Sequence, residues 1–246
     1  MIDFSGAIIA FMKEIVFTLE VCMKKFIKQY RHAWILFAYA CLYIPWFVYL
    51  EKTVTKNYHV IHMAVDDYIP FNEYFIIPYF LWFAYVAGAV AYFLFTDKGD
   101  YYKLCMFLFS GMTIFLIVST VFPNGHHLRP LFFENDNLFT RMTASLYKTD
   151  TSTNLFPSIH VYNSIGVQIA VMNSRRLTDC KWVRRTSFVL CISIILSTVF
   201  LKQHSVFDVI TAFIMAAAFY LIVYGIDYES IAAKRRRKQL NPEHNI

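Results

Sequence analysis

Three short stretches of this chain hold residues whose types and spacing could do chemistry. In KQHSVFD, residues 202–208, His204 and Asp208 stand four apart. In PSIH, residues 157–160, His160 follows Pro157 and Ser158. FPNGHHLRP, residues 122–130, carries Arg129. At a helix start, a four-residue spacing brings imidazole and carboxylate together on one face. The carboxylate then fixes the ring tautomer and leaves the other nitrogen free and more basic. Pro157 suits the first helical position, so the N–H groups of the first turn and the Ser158 hydroxyl form an anion site matched to phosphate. Arg129 is a planar cation suited to bidentate phosphate binding, and Lys202 adds a second cation beside His204. Together these residues describe phosphoryl transfer. His204 attacks phosphorus, Asp208 stabilises the cation formed on it, and His160 protonates the leaving oxygen and later activates the acceptor. Arg129, Ser158 and backbone N–H groups hold the equatorial oxygens as charge spreads over them.

Each piece also has a plainer reading. His204 and Asp208 could be an ion pair capping a helix. His160 could be a satisfied histidine at an ordinary helix start. Arg129 and Lys202 could be snorkelling interfacial charges. A zinc site on His126, His127, His160 and His204 is a further reading, but the chain has neither an HExxH helix nor a cysteine pair to support it.

The elements that must position these residues are membrane helices. Of the 246 residues, 58% are hydrophobic and only 16% charged, against roughly 25% charged in soluble domains. Five segments are apolar enough, and long or nearly long enough, to cross a bilayer: Ala33–Leu50, Tyr74–Phe95, Leu104–Val121, Ser187–Leu201 and Val206–Ile226. A sixth, His160–Met172, carries Asn163, Ser164 and Gln168, a polarity that fits a span facing the inside of a bundle. With six spans and a cytoplasmic N-terminus, seventeen Lys and Arg residues fall inside and six outside. The positive-inside rule then places both termini in the cytoplasm and all three motif stretches at the outer face. The expectation is an all-α fold, a six-transmembrane-helix bundle, in an integral multi-pass protein of the cell membrane.

Residues 1–30 read as an amphipathic helix lying on the inner surface, with Phe4, Ile8, Phe11, Ile15, Leu19, Cys22 and Phe26 on one stripe. Residues 31–228 form the membrane domain and 229–246 a basic cytoplasmic tail. The tail run Lys234–Lys238 reads as a topology determinant in contact with anionic lipid, not as a nucleic-acid site. The five cysteines, at 22, 41, 105, 180 and 191, lack metal-ligand spacing and read as apolar filler without disulfides. The sequence leaves homo-oligomerisation open.

These motifs resemble the type 2 phosphatidic acid phosphatase superfamily (PAP2), whose signature is K-x6-RP, then PS-x-H, then SR-x5-H-x3-D. Pro157, Ser158 and His160 match the second block. Ser197, His204 and Asp208 match the third at the right spacing, and Arg129 and Pro130 remain of the first. Phe122 stands where the first block has its lysine, and Thr198 where the third has its arginine. Lys202, and Lys148 or His126, are the candidates to replace those cations. The run from Asp150 to His160 is more similar to a divergent branch that includes inositol phosphorylceramide and sphingomyelin synthases, which are phosphotransferases.

The resemblance implies a six-helix enzyme, independent of metal and cofactor, that works through a phosphohistidine on His204. Its substrate class is a lipid phosphate. Hydrolysis is the leading expectation, with headgroup transfer to an alcohol acceptor as the alternative and a non-catalytic membrane protein as a third reading. The loop Leu131–Phe156 holds Phe132, Phe133, Leu138, Phe139 and Tyr147, and its length suggests a lid over the site.

Overall fold

The computed structural model describes residues 4–226, with side chains from Phe17 onward. The tail Lys234–Lys238 lies outside the described residues, as do the side chains of the first part of the N-terminal apolar stripe. Among the described residues the chain forms α1 (Phe4–Gln29), α2 (Trp34–Thr53), α3 (Ala64–Tyr68), α4 (Ile76–Thr96), α5 (Lys98–Val121), α6 (Leu138–Thr149), α7 (Ile159–Asn173), α8 (Lys181–Phe200) and α9 (Val206–Val223). The only ladder described is a two-residue parallel pair, β1 (His59–Val60) with β2 (Asn124–Gly125). The fold is all-α.

The five apolar segments are helices long and apolar enough to cross a membrane: Arg31–Thr53, Glu73–Thr96, Lys98–Val121, Lys181–Phe200 and Val206–Val223. Their outward faces stay apolar, with Trp34, Phe37, Phe83, Phe95, Phe188 and Ile214 exposed on the protein surface. So much uncovered apolar area is what a hydrocarbon surround requires. On α1, Phe17, Leu19 and Phe26 are likewise exposed.

The sixth expected segment is the hub of the bundle. α7 touches α4, α5, α8 and α9, and its 15 residues span about 22 Å, against a hydrocarbon core of about 30 Å. Asn163 and Ser164 are buried within it. Gln168 accepts a 2.5 Å hydrogen bond from the Ser187 hydroxyl, which also bonds the Tyr85 hydroxyl at 2.7 Å. Inside a membrane, helix association rests on close packing and such interhelical bonds. The α5–α7 crossing is built from two glycine–aromatic fits: Tyr162 fills the space a Cβ would need at Gly111, and Phe107 does so at Gly166. The Tyr162 hydroxyl completes the contact by donating to the Phe107 carbonyl at 2.9 Å.

At one end of the bundle the connections between spans are folded, not loose. The stretch read as a long loop contains α6, so the expectation of a loop without secondary structure is corrected. Its helix is started by a reciprocal cap, in which Asn137 Oδ1 accepts from Thr140 N at 3.0 Å and Thr140 Oγ1 accepts from Asn137 N at 3.0 Å. α6 packs on α4 and on the 3-10 turn Glu73–Phe75. Leu131 and Phe132 remain fully or largely exposed, while Phe133 turns inward against Phe71 and Tyr147.

Candidate active site

The site forms where the starts of α7 and α9 meet. Ser158 caps α7, its hydroxyl accepting from Val161 N at 3.4 Å. Its own backbone N–H donates to the Asp208 carbonyl at 3.4 Å, so one motif helix is tied directly to the other. Ser205 caps α9. The Asp208 carboxylate folds back to accept from Ser205 N at 3.0 Å, and the same oxygen lies 3.3 Å from His204 Nδ1. A proton on Nδ1 would leave Nε2 as the unprotonated nitrogen. The other oxygen of Asp208 is buried without a partner. The expected His204–Asp208 pair is therefore present, with both members nearly sealed from solvent.

His160 reaches the same place from α7. Its ring centroid lies 5.7 Å from that of His204, tilted by 59°. Tyr79 and Trp82 of α4 hold it on the far side, at 4.7 and 4.3 Å, and its Nδ1 is buried without a partner. The arrangement thus places two imidazoles side by side, one oriented by a carboxylate and one with an uncommitted nitrogen. Burial holds His204 far below the ordinary histidine range, at about 3. Arg129 pushes in the same direction, and a backbone hydrogen bond with Leu155 opposes both. A neutral imidazole is the form that can act as a nucleophile.

The loop segments around this pair are pinned by Asn124 of β2. Its side-chain oxygen accepts from Leu155 N and Phe156 N, each at 2.9 Å, and its backbone carbonyl accepts from Asn154 N at 2.7 Å. His126 is fully engaged: Nδ1 accepts from Leu128 N at 3.2 Å, and Nε2 meets the Gln203 carbonyl at 2.8 Å. Burial lowers its pKa to about 4, against the Gln203 bond. It is a neutral strut, so its expected service as a replacement cation is corrected. Lys148 is exposed on α6.

Arg129 sits beside the site but faces protein oxygens. Nη1 donates to the carbonyls of Tyr147 (3.3 Å) and Asp150 (2.8 Å), and Nη2 donates to the Thr151 carbonyl (2.8 Å) and Gln203 Oε1 (2.6 Å). The guanidinium also lies 4.5 Å from the Tyr147 ring. Only Nε is left, buried and unpartnered, so here Arg129 turns its Nη groups to protein oxygens and not to the open space that the expected bidentate phosphate grip would use. Burial lowers its pKa, and Asp150 works against that. Asp150 is itself pushed up by burial to about 6, against the pull of Arg129.

Lys202 does not join the set. Its backbone is left-handed, with φ 52°, and its ammonium donates to the Asp66 carbonyl at 2.6 Å. It lines a separate cleft of about 320 Å³ with His62, Asp67 and His127.

Three contributors were not singled out from the sequence. Asp66 braces the first turn of α9, accepting from the Ser205 hydroxyl at 2.6 Å and from Val206 N at 2.8 Å. Gln203 joins Arg129 to His126, and Tyr79 walls His160. Their only sequence signal was position: Asp66 lies in the polar stretch before α4, and Gln203 precedes His204. Among the described residues no three His, Cys, Asp or Glu side chains converge as a metal-binding group.

Residues 134–232 match the PAP2 superfamily. The matched stretch contains Pro157, Ser158, His160, Ser197, His204 and Asp208, and it begins after Arg129. Neither the curated proteins nor the solved structures gave a match to the chain.

Proposed function

We propose that this PAP2-superfamily protein is a membrane-embedded lipid phosphate phosphatase that works through a phosphohistidine at the outer face. It has six spans, including α7, and both termini in the cytoplasm. The observation that carries the reading is the convergence of His160, His204 and Asp208 at the paired starts of α7 and α9, with ring centroids 5.7 Å apart. His204 attacks phosphorus as the bond to the lipid oxygen breaks, and His160 supplies the proton that the departing oxygen takes. The dianionic substrate favours the imidazolium on His160 before that step. Water then attacks the phosphohistidine and passes its proton to His160, freeing phosphate and restoring His204. Asp208 offsets the positive charge that His204 carries between the two steps.

The near-complete burial of His204 and Asp208 favours a second reading. A site closed to bulk water suits transfer to an alcohol acceptor. Both readings share the first half-reaction and differ in what meets the phosphohistidine. The deciding test incubates the protein, purified in detergent, with phosphatidate and other lipid phosphates, with and without lipid alcohols. Phosphatase activity predicts that free phosphate accumulates in step with dephosphorylated lipid when no acceptor is present. Phosphate release that stays negligible throughout, with a new phosphate monoester of the alcohol formed once one is added, establishes transfer instead.

A further inference from the structure

If the site binds phosphate, two family cations are missing, and the residues at their positions do not compensate. The Phe122 ring stacks flat on His59, 4.3 Å away. Thr198 is fully buried and donates its hydroxyl to the Ile195 carbonyl at 2.8 Å. Lys202 is bound to Asp66, and His126 is a neutral strut. Arg129 spends its four Nη hydrogens on protein oxygens.

Gln203 is the residue left. It is fully buried, and three of its four polar groups are engaged. Its N–H donates to the Thr198 carbonyl at 2.9 Å, its carbonyl meets His126 Nε2, and its Oε1 accepts from Arg129 Nη2 at 2.6 Å. A guanidinium can only donate, so the carboxamide oxygen must be the atom facing it. The usual ambiguity between amide oxygen and nitrogen is thereby removed. Nε2 must point the other way, and it is buried with no partner. A buried amide donor left unbonded is costly and calls for an acceptor from outside. Gln203 adjoins His204, and its Thr198 carbonyl anchor is shared with His204 N at 3.0 Å.

We propose that Gln203 binds the phosphoryl group, its two Nε2 hydrogens donating to the non-bridging oxygens of a phosphate monoester. Arg129 acts through it as a positioning residue, since a cation hydrogen-bonded to the amide oxygen makes the amide hydrogens stronger donors. The ligand class is a tetrahedral oxyanion. This inference rests on the phosphatase reading of the same site. A purely structural Gln203 would need only Oε1, to hold Arg129, and would leave Nε2 unexplained.

Gln203→Glu separates the two roles. The carboxylate keeps an acceptor for Arg129, which neutralises it, and removes the donors. Gln203→Met removes both without adding charge. The full-length protein in detergent is titrated with orthovanadate and with inorganic phosphate, following the melting temperature, and kcat and KM are measured on a lipid phosphate. The expected result is that wild type is stabilised by the oxyanions, while Gln203→Glu melts near wild type without ligand but binds them at least tenfold more weakly, with KM raised by a similar factor. Gln203→Met also loses oxyanion binding. Wild-type oxyanion affinity in Gln203→Glu, or in Gln203→Met, overturns the role of Gln203 and leaves the phosphatase reading standing. A wild-type protein that neither binds oxyanions nor turns over any lipid phosphate overturns both.

Discussion

Asp66 grips the first turn of α9 from 139 residues upstream, its carboxylate 2.6 Å from the Ser205 hydroxyl. One oxygen also accepts from Met63 N at 2.8 Å, and the other from Val206 N at 2.8 Å. A carboxylate is well placed at a helix N-terminus, where the dipole and free N–H groups favour negative charge. The contact fixes the turn from which Asp208 addresses His204. Asp66→Ala leaves these buried donors without an acceptor and should cost roughly 3 kcal/mol. Asp66→Asn keeps one acceptor oxygen and should fall between. Thermal melting in detergent checks this, and an Asp66→Ala protein that melts with wild type refutes the bracing role.

The two histidines should separate kinetically. His204→Ala should abolish turnover, and Asp208→Asn should lower kcat by roughly 10²–10⁴. His160→Ala should nearly abolish turnover of a lipid phosphate, whose alkoxide leaving group needs a proton. With an aryl phosphate the leaving group needs none, so the same variant should still form the phosphoenzyme and then stall. Rapid quench with labelled substrate should capture an acid-labile adduct in His160→Ala and none in His204→Ala. Labelling of His204→Ala would move the nucleophile elsewhere. EDTA should leave activity intact, and its loss with recovery on adding Zn²⁺ would favour a metal enzyme.

Legibility in the sequence followed range. The five apolar spans were readable because hydropathy over about 20 residues is a local property. α7 read weakly because its polar residues are satisfied inside the bundle, as Gln168 is by Ser187. The motif histidines and Asp208 were readable because a four-residue spacing on a helix is also local. α6 was missed although Asn137 and Thr140 form a helix-start signal; its buried side is mostly Thr140, Thr143 and Leu146, too polar to stand out. The partners of Arg129 and Lys202 were not readable. A cation in a connecting segment looks the same whether it faces a ligand or a backbone carbonyl, and the left-handed turn at Lys202 has no glycine to announce it.

Orientation can be tested directly. Asn135 and Asp179 are both exposed, one before α6 and the other before α8. Six spans put them on opposite sides of the membrane. Single cysteines at these positions, in a cysteine-free background, should react oppositely with an impermeant thiol reagent applied outside intact cells: strongly at 135, weakly at 179. Equal labelling from outside would mean that α7 does not cross.

The last prediction concerns acid. His126 bonds on both ring nitrogens, and one of them accepts from Leu128 N, so a second ring proton would meet an N–H donor. Its folded pKa of about 4 lies below the ordinary value of 6.5. A depressed value means that the unfolded chain takes up the proton first as pH falls. The stability His126 contributes is therefore fully present above pH 6.5 and is lost as pH falls through 4, on the order of 3 kcal/mol over that window. His204 titrates in the same sense, so the whole protein should soften steeply on acidification. His126→Gln retains an amide that can reach the Gln203 carbonyl but has no proton to gain. It should melt below wild type at pH 7.5, because the paired geometry is imperfect, yet lose less between pH 6.5 and pH 4. Melting curves of the two proteins across that range should converge, and curves that stay parallel would remove His126 from the account.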